Sequence, residues 1–235
     1  MRRLKKLFGK KILVGAFVGA VIVAFIVVAF TTGGRNIQDQ AHANIAEARF
    51  FMRQALSEDL KVQFFSGIRE QNYQMDGVAD APVPFALLNI EPRGINLIDA
   101  QELRGTLKLG EEEKQVTLER NQFGRNFGID LGELVDAETE VTFTLDIGSA
   151  NNPVFTLVHA MPEEAISWEE ALDIGAKYFA EQLSGEGVTS FESYVKIITD
   201  RDAHAAFWFV QFVTSDGQNL FTVLNYDGEI LERRE

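Results

Sequence analysis

A chain of 235 residues with 46% hydrophobic and 24% charged side chains has the make-up of a folded protein, and its 19 phenylalanines need a substantial core. The net charge of −13 is unevenly placed: 6 of the 22 basic residues (Arg2, Arg3, Lys5, Lys6, Lys10, Lys11) precede residue 12, leaving 16 bases against 35 acids, or −19, for the rest. Such an acidic surface repels phosphates and argues against nucleic-acid binding, and the absence of cysteine excludes disulfides, thiolate metal sites and cysteine nucleophiles.

Residues 1–11 form a basic tip. Ile12 to Phe30 is then a run of 19 residues without a charged, polar or proline side chain. As a helix it would measure about 28 Å, close to the ~30 Å hydrocarbon thickness of a bilayer. These features predict a transmembrane helix over 12–32, with Ile12 and Phe30 at its ends. The cations on its leading flank place the N-terminus in the cytosol and the remainder outside the cell membrane. A cleavable signal peptide is the competing reading, but the exit Val27-Val28-Ala29-Phe30 lacks a clean Ala-x-Ala. Gly15 and Gly19 form a GxxxG that allows close helix pairing, and so a homodimer, although glycine is common in such helices anyway.

After Gly33-Gly34, residues 33–57 read as a juxtamembrane helix or stalk. Ile37, Ala41, Ile45, Ala48, Met52 and Leu56 recur at three- and four-residue spacing. From residue 58 the period changes to two. Leu60, Val62 and Phe64 alternate with polar residues, and Phe85 to Ile90 is a short apolar run. Leu107 and Leu109 face Val116 and Leu118 across a Gly-Glu-Glu-Glu turn. Val141, Phe143, Leu145 and Ile147 alternate again, and Asn151-Asn152-Pro153 turns into Val154 to Val158. Short strands of this kind over 58–161 predict an all-β, immunoglobulin-like sandwich.

Pro162-Glu163-Glu164 marks a boundary, and 165–235 read as a small α+β domain. Ser167 and Glu170 form a capping box for a helix that puts Trp168, Ala171, Leu172, Gly175, Ala176, Phe179 and Leu183 on one face. Strands follow at Ser193 to Ile198, Ala206 to Val213, Leu220 to Leu224 and Ile230-Leu231. Ser-Asp-Gly and Tyr-Asp-Gly turns punctuate them. The whole chain is therefore expected to be α+β: transmembrane helix and stalk, sandwich, then helix plus antiparallel sheet. The capped helix, the strand "FWFVQF" and the closing "NYDGEILE" resemble the PepSY domain, with a shorter turn than that family's pattern. The resemblance implies a non-catalytic module that contacts or restrains another protein outside the membrane. In that family the domain occurs in propeptides of secreted metalloproteases and in anchored proteins of the bacterial cell envelope. No His-Glu-x-x-His is present for it to inhibit in cis.

Little in the sequence points to catalysis. His42, His159 and His204 share no ligand spacing, no Gly-x-Ser-x-Gly occurs, and Ser184-Gly185-Glu186-Gly187 follows a helix and lacks the lysine of a phosphate loop. Glu111-Glu112-Glu113, Glu163-Glu164 and Asp200 with Asp202 lack calcium-loop spacing. No catalytic, cofactor or metal residue is assigned. In "FWFVQF", Phe207 and Phe209 point one way and Trp208 and Phe212 the other, so one face needs a cover besides the helix: the sandwich of the same chain is the ordinary cover, and a partner protein is the alternative, with Trp208 and Phe212 as the candidate partner-facing pair. The expected function is a membrane-tethered, extracytoplasmic binding or regulatory protein with the bilayer and an envelope protein as partners. A pilin-like structural subunit and an envelope enzyme are the alternatives. The pilin pattern of a cleavage glycine, an apolar run and a glutamate is absent.

Overall fold

The computed structural model describes residues 36–72, 75–94, 100–122, 124–148, 150–200 and 205–234. The tip 1–11, the expected span with its ends Ile12 and Phe30, and the pairing glycines Gly15 and Gly19 lie outside the described residues. Among the described residues no helix is long and apolar enough to cross a membrane. The longest has 11 residues, about 16 Å of rise against the ~30 Å required. On that finding the expected single-pass membrane localisation is corrected.

The described chain is 52% strand and 12% helix, and its strands form a closed eight-stranded barrel with extra strands. The barrel strands are β1 (Ile45–Leu56), β2 (Leu60–Glu70), β3 (Pro82–Pro92), β4 (Glu102–Leu109), β5 (Glu112–Arg120), β6 (Phe127–Asp130), β7 (Val141–Asp146) and β8 (Val154–His159). They lie in the order β1-β2-β3-β6-β5-β4-β7-β8, and β8 returns to β1 through Arg53↔His159 and Gln54↔Val158. That closure replaces the expected immunoglobulin-like sandwich. An eight-stranded barrel leaves an interior that side chains can fill. Here Val62, Phe64, Leu88, Ile90, Leu107, Leu118, Phe127 and Phe143 fill it, each at 0% exposure.

β1 also carries the rest of the molecule. Its first half pairs in parallel with β9 (Phe191–Thr199) through Ile45↔Ser193 and Ala48↔Val195. The sheet then continues antiparallel through β10 (Ala206–Thr214), β11 (Asn219–Leu224) and β12 (Ile230–Arg234). Barrel and C-terminal sheet are thus one twelve-stranded sheet sharing β1. The expected sandwich and separate α+β unit give way to this arrangement.

The stalk is the other correction. A helix, α1, covers only Ile37–Ala43, and the chain then enters β1. β1 has register irregularities between Ile45 and Glu47 and between Arg49 and Phe51. An extra residue at a bulge breaks the period of two, and Ile45, Ala48 and Met52 all enter the same core. Their helix-like spacing is the footprint of a bulged strand buried on both faces.

α1 packs with α2 (Trp168–Tyr178) and the single turn α3 (Ala180–Leu183) over one face of the C-terminal sheet. α2 starts where the sequence predicts. Ser167 Oγ accepts from the Glu170 N–H at 3.2 Å, and the Glu170 carboxylate accepts from the Ser167 N–H at 2.9 Å. Ala171, Leu172 and Ala176 are fully buried against the sheet. Gly175 sets the depth: a Cβ there would stand 2.6 Å from Val210 Cγ1.

Candidate functional site

The two faces of the C-terminal sheet differ in cover. On the helix side lie Phe191, Val195 and Ile197 of β9, Trp208, Val210 and Phe212 of β10, and Leu220 and Leu224 of β11. Trp208 is 2% exposed and Phe212 0%, so the pair expected to face a partner is core instead. Strand alternation sends their neighbours to the opposite side. There Phe207, Phe209, Phe221 and Val223 are only half-buried, and Ile198 is 36% exposed.

Register assembles these residues into a patch. Phe207 stands opposite Ile198, and Phe209 lies between Lys196 and Val223. The rings of Phe209 and Phe221 are 5.4 Å apart, a separation typical of attractive ring pairs. At the outer edge Arg234 stands opposite Phe221, and both line a shallow depression with Gln218 and Asn219. At the inner edge Lys196 Nζ is 2.8 Å from Glu47 Oε2, and Arg49 Nε is 2.8 Å from Glu47 Oε1. Burial alone would raise the Glu47 pKa, but the two cations outweigh it and hold the carboxyl below its usual value.

One end of this face is covered by a strap of the chain itself, residues 75–81, between β2 and β3. Ala79 packs on Ala46, Tyr194 and Val213. Asn44 pins the strap from below: its amide donates to Gly77 O at 3.0 Å and its Oδ1 accepts from the Ala79 N–H at 2.9 Å. Beneath lie two carboxylates, Glu192 at 0% exposure and Glu70 at 2%. Neither carboxylate oxygen of Glu192 has a hydrogen-bond partner. Burial, and then the neighbouring Glu70 carboxylate, push Glu192 up to about 7; Gly77 and Tyr194 act weakly the other way. The pair is sealed from solvent and offers a substrate no access.

The other polar residues singled out in the sequence stay apart. His42 Nε2 lies 3.0 Å from Asp173 Oδ1 at the junction of α1 and α2. His159 meets the Phe51 ring edge-on in β8; burial, helped by Arg53, lowers its pKa. His204 and Asp202 lie outside the described residues. Asp200 Oδ1 accepts from the Ala205 N–H. Glu111 and Glu113 are exposed beside the Gly110 turn, and Glu163 and Glu164 are exposed before α2. Among the described residues no group of three or more His, Asp or Glu could hold a metal ion.

Comparison with protein-family models, curated proteins and solved structures finds no match for this chain. The residues of the patch therefore carry the functional reading. Sequence reasoning found the strand and its two faces but chose the wrong one. Phe221, one strand away, was the missing signal: only register shows that it completes the ring pair with Phe209. Glu192 carried no signal at all, because burial of an isolated glutamate is set by the strap.

Proposed function

We propose that this chain is a binding module that engages another protein through the uncovered aromatic face of its C-terminal sheet, with the barrel as rigid support. The observation that carries this reading is the half-exposed Phe209–Phe221 pair, on the face opposite α2. Soluble domains rarely leave contiguous apolar surface without a use. Aromatic side chains supply most of the energy at protein interfaces. Arg234 at the rim, in a chain where 35 acids face 22 bases, suits a partner whose apolar side chains are flanked by carboxylates. The resemblance of 165–235 to the PepSY family implies the same class of role, a non-catalytic contact with another protein.

The test places a photo-crosslinking phenylalanine analogue at position 209 of the full chain in its native cells. A discrete protein adduct is expected, absent when the analogue replaces Gln115 on the barrel and lost when Phe221→Asp is added to a still-folded chain. Equal adducts at 209 and 115, or an adduct indifferent to Phe221→Asp, would overturn the proposal. An adduct of twice the chain mass would identify the partner as a second copy.

A further inference from the structure

We propose that Glu192, with the Glu70 carboxylate near it, forms a proton-operated latch beneath the strap 75–81, which stays seated while Glu192 is protonated and lifts from Tyr194 and Val213 when that proton is lost. The strap has little else to hold it. Asn44 supplies its fixed anchor, the Asp80 N–H donates to Glu70 Oε2 at 3.3 Å, and Ala79 is its one residue in a buried cluster. Val78 at 59% and Met75 at 50% exposure point outward and add no burial to the closed state. A carboxylate as buried as Glu192 is tolerated as the neutral acid and is costly as an anion unless donors compensate it; Gly77 and Tyr194 act that way here, against the larger effect of burial. A second carboxylate at its side adds repulsion once both are charged.

The charges around Glu192 come from each element packed there. Glu70 closes β2, and Asp76 lies on the strap. Tyr194 sits two residues along β9, and the Lys196 ammonium lies 5.0 Å from the Tyr194 ring centroid but is committed to Glu47. From the β10–β11 turn, Ser215 presents its backbone to Gly77: a Cβ at Gly77 would lie 2.6 Å from Ser215 N. Asp216 beside it is bound to Thr214 and Gln218. No cation in this set compensates an ionised Glu192. On the reading that the aromatic face is the binding surface, lifting the strap lengthens that face by Tyr194, Val213 and Ala46, so binding becomes pH-dependent.

Hydrogen exchange with mass spectrometry on the full chain tests the latch without a partner, so its outcome is independent of the crosslinking result. The opening equilibrium should rise by about tenfold per pH unit between the ordinary glutamate value and the folded value, then level off. Peptides covering 75–81 should therefore lose at least about tenfold protection from pH 5 to pH 7.5, after correction for intrinsic exchange. Glu192→Gln should abolish the change, and Glu70→Gln should shrink it and make it level off at lower pH, by removing the repulsion that opposes Glu192 ionisation in the closed state. Strap protection that does not vary with pH, or that varies equally in Glu192→Gln, would overturn the proposal. So would strap protection that responds to added calcium or magnesium and not to pH. If Glu192→Gln does not fold, carboxyl-carbon NMR of the unaltered chain decides: a Glu192 resonance that titrates in the ordinary glutamate range removes the latch.

Discussion

Lys196 of β9 and Glu47 of β1 are joined at 2.8 Å across the parallel seam where the barrel becomes the C-terminal sheet. Arg49 shares the same carboxylate, so a single acid on the strand common to both halves pairs with two cations. Parallel pairs are slightly weaker per residue than antiparallel ones, and this seam is short. The ion cluster therefore matters more here than an exposed pair would.

Glu47→Ala should cost about 2–4 kcal/mol, because it leaves two like charges facing each other in a mostly buried site. Joint replacement by Glu47→Leu with Lys196→Met should recover most of that loss. Urea unfolding of the single and paired variants checks both. If Glu47→Ala shifts the midpoint no more than an exposed Glu111→Ala, the seam does not depend on the cluster.

Trp208 and Phe209 are neighbours with opposite duties. Trp208→Ala should cost about 3–5 kcal/mol, as expected for a large ring removed from a core. Trp208→Phe should cost under about 1.5 kcal/mol, because the buried Nε1 has no hydrogen-bond partner to lose. Phe209→Ser should change stability by under about 1 kcal/mol yet remove the adduct formed when the crosslinking analogue is placed at position 221 instead. Denaturant midpoints alongside adduct yield separate the two roles.

Gly67 in β2 meets the bulge of β1 so closely that a Cβ would stand 1.9 Å from the Ala48 carbonyl oxygen. Gly67→Ala should destabilise by about 3 kcal/mol or prevent folding, since backbone, not a movable side chain, occupies the space. At Gly175 the obstruction is the Val210 side chain. Gly175→Ala should therefore cost less, about 1–2 kcal/mol once the gain in helix propensity is offset. Paired with Val210→Ala, which clears the obstruction, it should be less damaging than added to the unaltered core. Thermal melts of these variants test the order.

Stability should also depend on pH in a way traceable to two acids. Glu192 binds its proton more tightly in the folded chain, so its contribution is fully present below the ordinary glutamate value of 4.5 and is lost as pH rises towards about 7. Glu47 is shifted the opposite way, so its contribution is present above that value and lost as pH falls through its lowered folded value. Urea midpoints from pH 3 to 8 should fall on the acid side through Glu47 and decline between pH 4.5 and 7 through Glu192. Glu192→Gln should flatten the second decline alone. A decline that persists unchanged in Glu192→Gln assigns it to another group.

What could be read directly from the residues was local. The Ser167–Glu170 box, the Gly110 turn between β4 and β5, and the Asp-Gly turns after β10 and β11 each involve a few adjacent positions. Their chemistry is decided within one turn of chain. The alternation in β7 likewise reports one core-facing and one less buried side, whereas β2 alternates only over Leu60 to Phe64 and is then buried on both faces. Ring closure through Arg53↔His159 and the parallel seam through Ala48↔Val195 join residues more than a hundred positions apart. No local preference encodes such pairs; they form because β1 can bury both faces and bond on both edges only when β8 and β9 arrive. The same long-range packing decided that Trp208 lies inside and Phe209 outside, and that Glu192 loses its water.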